Sequence, residues 1–270
     1  MIRLATNSFS WHPTYNRGIG QLSALEICRR AAAAGAEGIE IDPSRVTASD
    51  LRDAGIALSG ASTGGPLFDD WTTLDADRVV ATAAGVRALG GEYVFFTTAP
   101  KGGWGAHERV TEGDLGLAGE RLSALARRIR AEGLAMGLHN HAASPEGFAA
   151  ELSLLAEHTV PDLVGLYLDI GWAYCSDGDP VALIERFGPR LMGLHFRNHT
   201  ADKVPTQMLC QGALHIPGIV AALTAAGYEG WASLELWHRE DVPVVKSMQQ
   251  CQTESLSCLQ MLFEGRTGTG

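Results

Sequence analysis

An alternation limits most tightly how this chain can fold. Short runs rich in Ile, Leu, Val and Phe recur, each followed by a longer Ala- and Leu-rich stretch with helical spacing. The strand-like runs are IRLATN (2–7), EGIEID (37–42), IALSGA (56–61), EYVFFTT (92–98), LAMGLHN (134–140), LVGLYLD (163–169), RLMGLHFR (190–197) and WASLEL (231–236). Most are nearly continuous in apolar character, as parallel strands covered on both faces must be. Helical patterns fill 22–34, 75–89, 113–132, 147–158, 179–187, 216–226 and 242–263, with a short one at 47–54. The first three end at Gly35, Gly90-Gly91 and Gly133, where a residue free to adopt a left-handed conformation closes a helix. Eight strands each followed by a helix match a single-domain (β/α)8 barrel over 1–264, with a disordered tail GRTGTG at 265–270. A doubly wound open sheet is the alternative, but no GxGxxG turn follows the first strand.

Charge narrows the partners. The 270 residues carry a formal net charge of -10, which repels phosphate backbones, so no nucleic-acid partner is expected. No apolar run is long enough for a membrane span and the N-terminus lacks a signal-type segment, so a cytoplasmic protein without a membrane partner is expected. The five cysteines are odd in number, widely spaced and without CxxC. This argues against a disulfide framework or a Cys-rich zinc site, and Cys251 and Cys258 read as packing residues of one helix.

In such a barrel the chemistry gathers where strand C-termini meet the following loops. Strand 5 ends in His139-Asn140-His141 with Glu146 in the loop after it, and strand 6 ends in Asp169. Strand 7 carries His195 and Arg197, strand 8 carries Glu235, and strand 2 carries Glu40. Alternate strand residues share a face, so His139 and His141 point together, as do His195 and Arg197. Asp169, His195 and Glu235 form a mixed oxygen and nitrogen set suited to one divalent ion: Mn2+, Mg2+, Co2+, Fe2+ or Zn2+. A fourth ligand is expected from strand 5 or its loop, with Glu146 preferred and His139 and His141 as rivals. Taken singly, each residue has a plainer reading: a buried strand His is usually a hydrogen-bonded core residue, and an Asp before Ile-Gly is often a turn residue. The conjunction at four successive strand ends favours the site.

Weaker signals surround it. Trp11, Trp104, Trp172 and Trp237 fall just beyond strand ends, where aromatic walls suit a sugar ring and loop packing is the plainer alternative. Glu40 reads as a substrate-binding carboxylate or the partner of a neighbouring cation. Lys101 reads as a solvated loop lysine, and His107, His158, His199 and His215 as surface or capping residues.

The motifs GAEGIEI (35–41), GLHNHA (137–142), VGLYLDIGW (164–172), LMGLHFRN (191–198) and GYEGWASLEL (227–236), in this order, resemble the xylose-isomerase-like TIM-barrel superfamily of sugar isomerases and epimerases. That superfamily includes inosose dehydratases, ketose 3-epimerases and hydroxypyruvate isomerases, and the likeness spans nearly the whole chain. It implies one divalent metal at the barrel mouth, held by Asp169, His195 and Glu235. Ketose 3-epimerases supply a further Glu from strand 5 itself. Here that strand reads GLHNH, closer to the inosose-dehydratase and keto-glycoside branches, where a loop carboxylate serves; that supports Glu146. The loop before strand 8 reads Cys210-Gln211-Gly212-Ala213 where an acidic element is common.

The resemblance implies proton abstraction next to a carbonyl of a sugar or cyclitol, with the metal stabilising the enediolate. Glu146, Glu235 and His141 are the expected acid–base groups, and His139, Arg197, Glu40, Trp11 and Trp172 the expected substrate contacts. Isomerase or epimerase action is the leading expectation. A lyase of the inosose-dehydratase or keto-glycoside type, eliminating a β-substituent, is the second. A non-catalytic sugar-binding or partner subunit is the third. An endonuclease-IV-like barrel needs more metal ligands and a basic groove, against the acidic balance. Barrels of this size often self-associate, so a homo-oligomer remains an open alternative.

Overall fold

Eight parallel strands pair in sequence order, and the last pairs with the first, closing a barrel. The computed structural model describes residues 2–105, 108–142 and 144–265. His107, and the tail expected at 265–270 apart from Gly265, lie outside the described residues. The strands are β1 (Arg3–Asn7), β2 (Gly38–Glu40), β3 (Ala57–Gly65), β4 (Tyr93–Thr98), β5 (Ala135–His139), β6 (Val164–Asp169), β7 (Leu191–Phe196) and β8 (Trp231–Leu234). The helices are α1 (Ala24–Ala33), α2 (Ala48–Ala54), α3 (Thr73–Ala88), α4 (Glu112–Ala131), α5 (Pro145–Glu157), α6 (Ile170–Cys175), α7 (Pro180–Phe187), α8 (Ile216–Ala225) and α9 (Met248–Phe263). Among the described residues no helix is long and apolar enough to cross a membrane.

Three differences from the sequence reading have local causes. The short α6 directly follows β6, because Asp169 Oδ1 accepts from Trp172 N at 2.8 Å and caps a new helix there. β3 runs on to Gly65, since its ladder with β4 continues through Gly64 and Gly65 opposite Thr97 and Thr98. α9 begins only at Met248, where Ser247 and Gln250 form a capping box.

The barrel interior is filled by large rings from a few strands set against glycines from others. Ala5, Tyr93, Phe95, Tyr167 and Trp231 form one buried cluster inside the strands. A side chain at Gly193 would enter the Tyr167 ring, and one at Gly38 would enter the Trp231 ring. These glycines are therefore the space in which the rings sit. The larger apolar cluster lies between strands and helices.

One cysteine reading needs correction. Cys251 is buried as expected, but Cys258 forms a disulfide with Cys210, across 48 residues, joining the loop after β7 to α9. Helical spacing reveals only neighbours on the same helix, so a partner brought in by a loop is invisible to it. His199 is also buried rather than on the surface, with its ring beside that of Tyr174.

Candidate active site

The C-terminal ends of β4 to β8 open onto a cavity of about 800 Å³. Its lining includes His139, His141, Trp172, His195, Arg197, Glu235, Trp11, Trp104 and Trp237, so most of the residues singled out from sequence do meet there. The GLHNHA segment is split by strand alternation. His139 and His141 face the cavity, whereas Asn140 donates to the Asp169 carbonyl at 3.0 Å and accepts from Asp169 N at 2.8 Å. Asn140 thus fixes β5 to the end of β6 and sets the height of Asp169.

Ligand atoms of His139, Asp169 and His195 lie within 4.8 Å of one another, and all three residues are buried. Asp169 Oδ2 and His195 Nδ1 are buried 3.7 Å apart, and each is held in an ion pair rather than a directed hydrogen bond. Glu235 adjoins them, with Oε2 3.2 Å from His195 Nδ1. Two imidazoles and two carboxylates gathered in one buried cluster fit a divalent cation of borderline hardness. Arg197 approaches from the side, its Nη2 2.5 Å from Asp169 Oδ2 and in contact with Glu235, so a cation held here would share both carboxylates with the guanidinium. The Arg197 guanidinium also lies over the Trp172 ring, 5.4 Å from its centre.

Glu40 lies beneath this cluster rather than in the cavity lining. Its Oε2 is 2.8 Å from His195 Nε2 and accepts from Asn7 Nδ2 at 2.8 Å. Its Oε1 accepts from the Tyr93 hydroxyl at 2.8 Å and from the Tyr167 hydroxyl. With Nε2–H directed at Glu40, the His195 Nδ1 faces Asp169 and Glu235, and a carboxylate behind Nε2 is the pairing that orients a metal-binding imidazole. Burial raises the cost of charge on Glu40, but the His195 charge and the phenolic donors outweigh it and keep the carboxylate ionised below its usual range. Burial likewise opposes charge on His195, yet Glu235 and Glu40 lift it to about 10 while no cation shares the site. His139 is pushed well down by burial and by the charge of His195. His141 falls to about 4 through burial and then the Arg197 charge. Both are therefore neutral near pH 7, with lone pairs available.

Glu146 is placed elsewhere. It is exposed in the first turn of α5 and outside the cavity lining, because Ser144 caps the helix and turns residue 146 outward. His139 takes the strand-5 place in the cluster. The carboxylate that α5 does send inward is Glu151, which accepts from His141 N at 3.0 Å and Ala142 N at 3.2 Å. Lys101 pairs with Asp114 at 2.7 Å.

Tyr93, Tyr167 and Glu151 escaped the sequence reading, although Tyr167 and Glu151 left a signal. Tyr167 shares strand parity with Asp169. Glu151 interrupts the apolar stripe of Phe148, Leu154 and Leu155, and an acid on such a stripe needs a buried partner.

The sequence profile of the xylose isomerase-like TIM barrel family matches residues 28–255. An inosose dehydratase of Salmonella agona (strain SL483) is 29% identical over 133 residues, 43% of this chain and 44% of that protein. The aligned region thus spans under half the length of these dehydratases. The rhizopine catabolism protein MocC of Rhizobium meliloti is 24% identical over 267 residues, covering 87% of this chain and 81% of that one. An L-ribulose 3-epimerase structure superposes with a TM-score of 0.76 at 20% identity, covering 98% of this chain and 95% of the other. Closed barrel, strand order and profile agree, and the chain belongs to the xylose isomerase-like TIM barrel family.

Proposed function

We propose that this protein is a divalent-metal-dependent isomerase or epimerase that removes a proton next to the carbonyl of a sugar or cyclitol. The observation that carries this reading is the buried convergence of His139, Asp169 and His195 at the strand ends, with ligand atoms within 4.8 Å of one another. His139, Asp169, His195 and Glu235 would hold the ion, which when bound supplies a Lewis acid for the substrate carbonyl. Glu235, at the edge of the cluster and facing the cavity, is placed to take the proton. His141, neutral near pH 7 and on the strand-5 side, is placed to accept or return one from another direction. Arg197 would stabilise charge developing on a substrate oxygen. The Nε1 atoms of Trp11 and Trp172 are buried donors without partners in the cavity wall, and ligand hydroxyls would satisfy them.

Elimination of a β-substituent is the second reading, supported by the similarity to proteins named inosose dehydratase. It shares the proton abstraction and differs in what leaves afterwards.

The test is metal content by mass spectrometry on wild type and Asp169→Asn, followed by deuterium uptake from solvent into keto-sugars and cyclitols. Near-stoichiometric metal in the wild type only, with exchange and no loss of water, is the expected result. A new enone absorbance would replace the isomerase reading with the lyase. Absence of metal and of exchange would remove both.

A further inference from the structure

The cavity has a polar floor and an aromatic rim, and of the rim the function proposed above uses only His141 and the Trp172 Nε1. At the rim two walls come from opposite sides of the barrel. From the β1 and β8 ends, Phe9 stacks on Tyr15 with centroids 5.2 Å apart and meets Trp237 edge-on at 6.1 Å. Trp237 Nε1 donates to the Tyr15 carbonyl at 2.8 Å, which ties the two loops together. From the β4, β5 and β6 ends, His141 lies between Trp104 at 5.5 Å and Trp172 at 4.8 Å. In an eight-stranded barrel closed in sequence order, β1 and β8 lie across from β4 and β5.

These walls are built but uncovered. Tyr15 is 52% exposed and Trp104 66% exposed, both at the edge of the cavity. Large apolar rings rimming a concave site are the usual signature of a surface that a ligand completes. A volume of about 800 Å³ lies in the upper part of the range that encloses drug-sized molecules, roughly 300–1,000 Å³. A single sugar ring on the floor leaves the rim empty.

Charge decides what the remainder is. Among the described lining residues the only Lys or Arg side chains are Arg45 and Arg197. Arg197 is buried and bound to two carboxylates. A phosphate would find one exposed arginine at the edge, well short of the converging donors that phosphate sites provide.

We propose that the ligand of this cavity is an unphosphorylated sugar carrying a flat apolar substituent, held with its sugar on the histidine–carboxylate floor and its substituent between the two aromatic walls. The proposal rests on the preceding reading for which end of the cavity takes the sugar. An aryl group fits better than a second sugar because both walls present ring faces and edges.

Binding of glycosides that lack a carbonyl separates this idea from the chemistry. Affinities of the metal-loaded protein for 4-nitrophenyl β-D-glucopyranoside, methyl β-D-glucopyranoside, cellobiose and glucose 6-phosphate would be measured by titration calorimetry. The aryl glycoside is expected to bind about tenfold more tightly than the methyl glycoside, from one or two ring contacts. In Trp104→Ala and Tyr15→Ala, both at exposed positions, that ratio is expected to fall toward one. Equal affinities, an aryl preference that survives both substitutions, tighter binding of cellobiose or glucose 6-phosphate, or no detectable aryl glycoside binding would each overturn the proposal. Deuterium uptake into keto-sugars is scored separately. Uptake without aryl preference leaves the proposed function standing and this inference fallen; aryl preference without uptake does the reverse.

Discussion

Glu40 accepts from Asn7, Tyr93, Tyr167 and His195, and so joins donors from β1, β4, β6 and β7 to a carboxylate on β2. Its effect on the cavity passes through His195, which makes it a positioning residue. Glu40→Gln keeps an acceptor for the tyrosines but removes the charge that orients the imidazole. Its affinity for Mn2+ is expected to fall roughly 10- to 100-fold, the usual cost of losing a carboxylate behind a ligating histidine. Competition against a fluorescent chelator measures this, and an unchanged affinity would reduce Glu40 to a packing role. The residues facing the cavity were legible because strand parity is strict: His139 with His141, and His195 with Arg197, followed from spacing alone. Spacing does not locate Glu146, which is exposed on α5, because a loop's path is not periodic. The serine cap that turns residue 146 outward acts over three residues and competes with no strand pattern. Spacing marks Glu40 but not its depth beneath the cavity, since alternation fixes a side chain's face and not its height.

At the level of elements, α5 is fastened to the end of β5 by one acid. Glu151 accepts from the backbone of His141 and Ala142, and burial raises it to about 8 despite those two donors. The native carboxyl therefore keeps a proton that the unfolded chain releases once pH passes the ordinary carboxylate range. The unfolded state then binds fewer protons, so this group's contribution to stability declines as pH rises toward 8 and levels off above it. Glu151→Gln still accepts from both amides and has no proton to lose. It is expected to melt close to wild type at pH 5 and to be more stable at pH 8.5, by on the order of 3 kcal/mol. Thermal melts at the two pH values decide, and an advantage confined to pH 5 would show the sign to be wrong. The eight strands and most helices were legible from apolar runs and glycine stops. The added α6 was not, because Asp169 serves both as strand end and as helix cap, and a single residue cannot announce two roles by pattern.

Over the whole molecule, the Cys210–Cys258 bond closes a loop that contains β8 and α8. Closing a segment of 48 residues restricts the unfolded chain, so Cys258→Ser is expected to lower stability by about 2–4 kcal/mol under oxidising conditions. Denaturant midpoints with and without reductant test this. Wild type should converge on the variant once reduced, and identical midpoints throughout would show that the bond adds nothing. The barrel's closure, legible from the strand count, has a further consequence through Glu40. Its partners Asn7 and Tyr93 come from the first half of the chain, and Tyr167 and His195 from the second. A fragment ending after β4 would keep the acid and lose its histidine, leaving an uncompensated charge where the interior should be dry. This barrel is therefore poorly divisible. Two separately expressed halves should each fail to settle alone and should do so only on meeting, and a history of assembly from independently stable half-barrels is hard to reconcile with a carboxylate that both halves must serve.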